Sequence, residues 1–238
     1  MSSVISGEAI FRSGVESVED LRGFKAATIA ARTPDLDPMP TLDGLPLYRL
    51  TIAQYDRMAE VGILEARAPV VLINGLLVAK MPINPPHRIA GDSLNMHLVR
   101  RLPDGWHVSV ANPVILPDSE SVPEPDLKVV RGGPNDYAST HPKGTDLAVV
   151  IEVSDSTLRA DQTRMKRIYA EGLVPYYWIV NLRGWRIEVY SDPTGPDPEP
   201  DYRRLVNYGL EDQIPIFLDG VEVFQIAVSD ILPRERNA

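Results

Sequence analysis

The sequence predicts an α/β fold, a central mixed β-sheet flanked by helices with an additional C-terminal β region. Three observations carry that reading. The run LAVVIEVS at 147–154 is almost wholly apolar, as a strand covered on both faces must be. A helical stretch follows from Asp161, and after its stop signature of Gly172 and Pro175 comes a second apolar strand, YYWIV at 176–180. Beyond it, WRIEVYS and short segments near 202–209, 214–217 and 221–226 read as further strands, separated by turn residues.

Taken in order, residues 1–46 read as an N-terminal extension. Their last stretch, ARTPDLDPMPTLDGLP, holds four prolines and several aspartates, which oppose a regular element. A single domain is expected over 47–233, with 234–238 as a tail. Thr51 and Gln54 have the spacing of a capping box, with Leu50 and Tyr55 placed for a hydrophobic staple, so a helix is expected from Ile52 to about Val61, closed by Gly62. Asn74-Gly75 between two apolar runs predicts a hairpin with a type I′ turn, which needs positive φ at both central residues. Pro85-Pro86 opens a helix to about Arg101, with Ile89, Leu94 and Leu98 for its buried side. WHVSVANPVIL and DLKVV then read as strands.

Composition narrows the function classes. With 44% hydrophobic residues in 238, a sizeable core can form and global disorder is excluded. No apolar run approaches the roughly 20 residues that span a bilayer. The opening MSSVISGEAIF lacks a basic start and a long apolar stretch, so no secretory leader is expected and a cytoplasmic location is. Absence of cysteine removes disulfides, thiol catalysis and thiolate zinc sites. A net charge of −9, from 24 basic and 33 acidic side chains, opposes non-specific coating of nucleic acid. It opposes an enzyme less, because a divalent cation in a carboxylate site cancels local charge.

The residues with chemistry to offer sit at strand ends. Asp126 heads the strand DLKVV, and Glu152 lies near the end of LAVVIEVS. If those strands are neighbours, the two carboxylates converge, with the Val153 carbonyl as a third oxygen. Hard oxygens of this kind suit Mg²⁺, with Mn²⁺ as substitute. Gln162, Lys166 and Tyr169 fall at i, i+4 and i+7, so an unbroken helix puts them on one face, with Lys166 over the carboxylates and Met165 and Ile168 on the buried side. Lys128 shares a strand face with Asp126 and is the rival lysine. His87, at a helix start, is either a phosphate contact or base, or a surface histidine. Arg159, Arg164 and Arg167, with Arg100 and Arg101, form either a phosphate-binding patch or a solvated face. Trp178 and Trp185 read as packing residues. On spacing alone the alternative is a solvated Asp126 and an ion-paired Glu152.

The stretch from Asp146 to Asn181 closely resembles the Uma-two family of putative restriction endonucleases, a branch of the PD-(D/E)XK nuclease superfamily. The matching residues are Glu152, Ser154, Ser156, Thr157, Asp161, Lys166, Tyr169, Gly172, Pro175, Tyr177 and Trp178. Pro125-Asp126, His87 and the Asn74-Gly75 hairpin also fall in place, so the resemblance covers roughly 48–232. It implies a restriction-endonuclease-like core in which Asp126 and Glu152 hold the metal and DNA is the substrate. A homodimer is a compatible assembly. The usual superfamily lysine, two residues after the glutamate, is replaced by Ser154, and the resemblance passes its role to Lys166. His87, Gln162 and Tyr169 become accessory residues. One departure stands out: Val71 and Leu76 occupy hairpin positions where the family carries acids. That supports an alternative, a catalytically impaired relative that binds nucleic acid or protein.

Overall fold

The computed structural model describes residues 41–65 and 68–233. Most of the expected N-terminal extension, residues 1–40, and the tail at 234–238 lie outside the described residues. The last residues of that extension do form a regular element. β1 (Thr41–Leu42) pairs antiparallel with β2 (Leu45–Pro46). Asp43 and Gly44 take positive φ between them, and Pro46 ends β2 opposite Thr41 without interrupting the turn.

Helix α1 (Ile52–Glu60) starts at the expected capping box. The Gln54 amide N–H donates to Thr51 Oγ1 at 3.2 Å, and the Thr51 N–H to Gln54 Oε1 at 2.9 Å. β3 (Val70–Ile73) and β4 (Leu76–Ala79) form the predicted hairpin, with φ of 49° at Asn74 and 74° at Gly75. Gly75 is further constrained from outside, since a Cβ there would meet the Leu50 carbonyl at 2.8 Å.

Helix α2 (Pro85–Val99) buries Ala90, Leu94 and Leu98. Ile89, expected on that side, is instead half-exposed, and Ala90 takes the inward position. The central sheet has six strands in the order β10-β9-β8-β7-β6-β5. They are β5 (Trp106–Val110), β6 (Leu127–Arg131), β7 (Leu147–Ser154), β8 (Tyr176–Asn181), β9 (Arg186–Pro193) and β10 (Tyr202–Tyr208). β7 and β8 run parallel and the other neighbours antiparallel, so the sheet is mixed as predicted. β11 (Gln213–Leu218) and β12 (Val221–Ala227) form a separate hairpin, followed by a short helix at Val228–Ile231.

Alternation along the strands sorts the core onto two faces. Leu127, Val129, Ile151, Val153, Trp178 and Val180 pack with α2 and the C-terminal hairpin. Val130, Val150, Tyr177, Ile179 and Tyr190 face the connection between β7 and β8. That connection begins as α3 (Leu158–Ala160), passes through a π-helical segment at Asp161–Met165, and continues as α4 (Lys166–Glu171). A π segment carries i→i+5 bonds, one residue more per hydrogen-bonded ring than an α-helix. The α-helical spacing used to group Gln162, Lys166 and Tyr169 therefore does not survive it. Trp178 is buried, and Trp185 packs against the core from the β8–β9 turn.

Candidate active site

β6 and β7 are antiparallel neighbours with Leu127 opposite Ile151, so the register brings Asp126 opposite Glu152. The two residues are joined directly. The Asp126 N–H donates to Glu152 Oε2 at 3.3 Å, and the Val153 N–H donates to Asp126 Oδ2 at 2.7 Å. In an extended strand the N–H and C=O of one residue leave from the same edge, so the Val153 carbonyl is directed to the Asp126 side as well. His87 completes this corner, with Nε2 3.1 Å from Asp126 Oδ2.

The placement of His87 follows from the start of α2. Asn84 caps the helix, its Oδ1 accepting from the His87 N–H at 3.0 Å. The Asn84 amide then donates to Asp155 at 2.9 Å, and Asp155 also accepts from Arg183 at 3.0 Å. The helix end is thereby tied to the turn after β7. Burial alone would hold the imidazole pKa down. The hydrogen bond to Asp126 and the charges of Asp126, Asp161 and Asp155 outweigh it, and the net direction is up.

Behind the pair lies a third acid. Asp161 is buried, accepts from Ser154 Oγ at 2.6 Å, and is also hydrogen-bonded by Thr157. Burial raises its pKa, and those two hydrogen bonds oppose the rise. Glu152 is pushed well above the carboxylate range, by burial first and then by the charges of Asp126 and Asp161. The Tyr169 hydroxyl donates to Glu152 Oε1 at 2.8 Å and opposes that shift. Among the described residues no three His, Asp or Glu side chains converge as a ready-made metal cage. What the strands bring together is two carboxylates and a backbone carbonyl.

Neither lysine is hydrogen-bonded to the carboxylate pair. Lys166 does not lie over the carboxylate pair. Its ammonium binds Asp201, 2.7 Å from Oδ1 and 2.9 Å from Oδ2, and sits 5.6 Å from the Tyr190 ring centroid. Both Lys166 and Tyr169 lie in α4, which presents Tyr169 to Glu152 and Lys166 to Asp201 and the Tyr190 ring of β9. Gln162 is also drawn away, donating to both oxygens of Glu188 at 3.0 and 2.8 Å. Lys128, the rival lysine, is wholly buried and donates to the Asn112 carbonyl at 2.6 Å. Burial brings its pKa down to about 8, with Glu124 and Glu152 opposing the shift.

Arg159, Arg164 and Arg167 are exposed on the helix. Arg100 and Arg101 cannot join them at the site. They follow the far end of α2, about 20 Å of helix from His87, and Arg101 is bound to the Gln225 carbonyl at 2.7 Å. Two buried acids escaped sequence reasoning. Asp161 lay in the motif, but nothing in its spacing marked it as a third buried acid. Glu188, an acid on the inward face of an otherwise apolar strand, was the available signal for a second polar centre.

The Uma2 family, described as a putative restriction endonuclease, matches residues 52–229. The chain belongs to this family. Among solved structures, it is similar to the crystal structure of a putative nuclease belonging to DUF820 from Anabaena variabilis ATCC 29413. The TM-score is 0.57 at 11% sequence identity, covering 76% of this chain and 97% of that one. At that identity the likeness speaks for the fold, which is the nuclease-like α/β fold expected. No curated protein matches the chain. Among the described residues no helix is long and apolar enough to cross a membrane.

Proposed function

We propose that this Uma2 protein is a metal-dependent endonuclease hydrolysing phosphodiester bonds in DNA, with Asp126, Glu152 and the Val153 carbonyl as the residues that hold Mg²⁺ or Mn²⁺. The observation that carries the reading is the cross-strand pair itself. Two carboxylates are bonded through one corner of the sheet, with a third acid behind them, and burial and mutual repulsion disfavour the ionised Glu152. Such a donor set, all hard oxygen, fits a small divalent cation. When bound, that cation polarises the scissile phosphate and lowers the pKa of a coordinated water.

The remaining roles belong to this chain's own groups. Tyr169 orients Glu152 by its hydrogen bond, and Ser154 fixes Asp161. His87 holds Asp126 from the start of α2 and presents a cation to the phosphate side. Lys166 serves as the phosphate-facing lysine by exchanging Asp201 for substrate, aided by the half-exposed position of Asp201. Arg159, Arg164 and Arg167 contact the flanking backbone phosphates.

The test is cleavage of supercoiled, linear and single-stranded DNA with Mg²⁺, Mn²⁺ or EDTA, beside Glu152→Ala. EDTA-sensitive cleavage that Glu152→Ala abolishes is expected. Equal cleavage by the variant, or cleavage indifferent to EDTA, would sink the reading. A binding module without catalysis is the second reading, favoured by Val71. That residue packs partly buried against the core on the site's own face, where the family carries an acid. DNA binding without cleavage under any metal would establish it.

A further inference from the structure

Lys128 is the most costly residue in the molecule to explain as packing. Its side chain is fully buried, at 0% exposure, on β6, the strand next to the β5 edge of the central sheet. An ammonium has three N–H donors. Among the described residues the Asn112 carbonyl is its one hydrogen-bond partner, so two donors find no acceptor there. A buried ammonium is normally paired with a carboxylate or neutralised. No carboxylate lies within ion-pair distance of this one among the described residues.

Its position in the sheet is informative. Lys128 stands two residues after Asp126, on the same face of β6, and directly opposite Val150. Glu152 is then its diagonal neighbour on β7, and the charges of Glu124 and Glu152 both reach it. The face thus carries Asp126 and Glu152, with Asp161 held against it by Ser154, and one positive charge beside the pair. Water cannot reach that charge, so its field on the acids is screened far less than that of a surface lysine.

We propose that Lys128 is the buried counter-charge of the acid pair, a residue that touches neither cation nor DNA and sets how strongly the site attracts each. This rests on the nuclease reading. A fixed positive charge beside the carboxylates weakens their hold on a divalent cation and strengthens attraction for a phosphate. It lets the pair bind a cation loosely enough to share it with substrate. A residue kept only for packing predicts something different, since its loss would loosen both interactions together as the fold weakens.

The experiment uses the full chain, with Mn²⁺ alone as probe, in wild type, Lys128→Met, Lys128→Gln and Lys128→Arg. Mn²⁺ binding is measured by calorimetry, cleavage of supercoiled DNA as a single-turnover rate, and folding by circular dichroism. The neutral variants should bind Mn²⁺ about 3- to 10-fold more tightly while cleaving at least about 10-fold more slowly. Lys128→Arg should keep the wild-type Mn²⁺ affinity. Lys128→Gln retains a donor for Asn112 and decides the matter if Lys128→Met does not fold. Unchanged or weaker Mn²⁺ binding in a folded neutral variant overturns the proposal. Wild type that binds Mn²⁺ but cuts no DNA removes the nuclease reading alone, and the Mn²⁺ comparison still decides on Lys128. Wild type that binds no Mn²⁺ removes both.

Discussion

The same face of the central sheet holds two glutamates that burial treats in opposite ways. Glu188, on β9, accepts hydrogen bonds from Gln162, Asn181, Arg186 and Tyr190, and these bring its pKa below the usual value although burial alone would raise it. Glu152, on β7, accepts from Tyr169 and one backbone N–H, is repelled by Asp126 and Asp161, and is driven up. Both side chains come from alternating strand positions and both stand among apolar neighbours. The difference lies in what fills the lone pairs. A carboxylate saturated with donors is finished as a structural element. One crowded by other acids keeps an unmet demand for positive charge, which is what a cation site offers.

The largest test of this contrast is removal of each acid. Glu152→Gln should cut cleavage at least about 100-fold while leaving the thermal melting of the metal-free protein unchanged or raised, because it relieves repulsion. A clear loss of stability would mean that Glu152 is structural like Glu188. Glu188→Ala should behave in reverse, costing about 3–5 kcal/mol in denaturant unfolding, since its donors are left unpaired in the interior. The pH dependence of that loss has a definite sign. A depressed carboxylate contributes its stability above its unfolded pKa of about 4.5 and loses it as pH falls through the folded value. The gap between wild type and Glu188→Gln should therefore be full at pH 7 and close on acidification below about 4.5.

A smaller effect is expected at the helix start. Asn84→Ala removes an N-cap and the link to Asp155, and should cost about 1 kcal/mol with a several-fold loss of cleavage as His87 loosens over Asp126. Wild-type cleavage in that variant would show that His87 is held by Asp126 alone. The smallest is Asp201→Asn, which should change stability by less than about 1 kcal/mol, the range of a partly exposed ion pair. Cleavage should rise if Lys166 must leave Asp201 to meet the phosphate. A fall would show that the pair is part of the working arrangement.

Much of the fold was legible because its signals are local. The capping box at Thr51, the Asn74-Gly75 turn and the apolar run of β7 each specify structure within a few residues. Asp126 and Glu152 were legible as a pair once their strands were taken as neighbours. The lysines were not. Nothing in ADQTRMKRIY announces an i→i+5 segment, and nothing local announces Asp201, 35 residues on, as the partner of Lys166. Nothing local marks Lys128 as buried, because that depends on the packing of neighbouring elements over β6. The hairpin at 41–46 was missed because proline content outweighed the Asp43-Gly44 turn.

The π segment also has a consequence for how this helix tolerates length changes. In an α-helix each residue advances the screw by about 100°, so the extra residue held at Asp161–Met165 works as a phase wedge between two halves. Removing one residue there would leave a smooth helix of ordinary pitch, yet it would swing everything from Lys166 onward by about a quarter turn. Tyr169 would then rotate off Glu152 even though every side chain at the site was still encoded. Function here is written partly in a count of residues, and a deletion that improves the helix would unset the site.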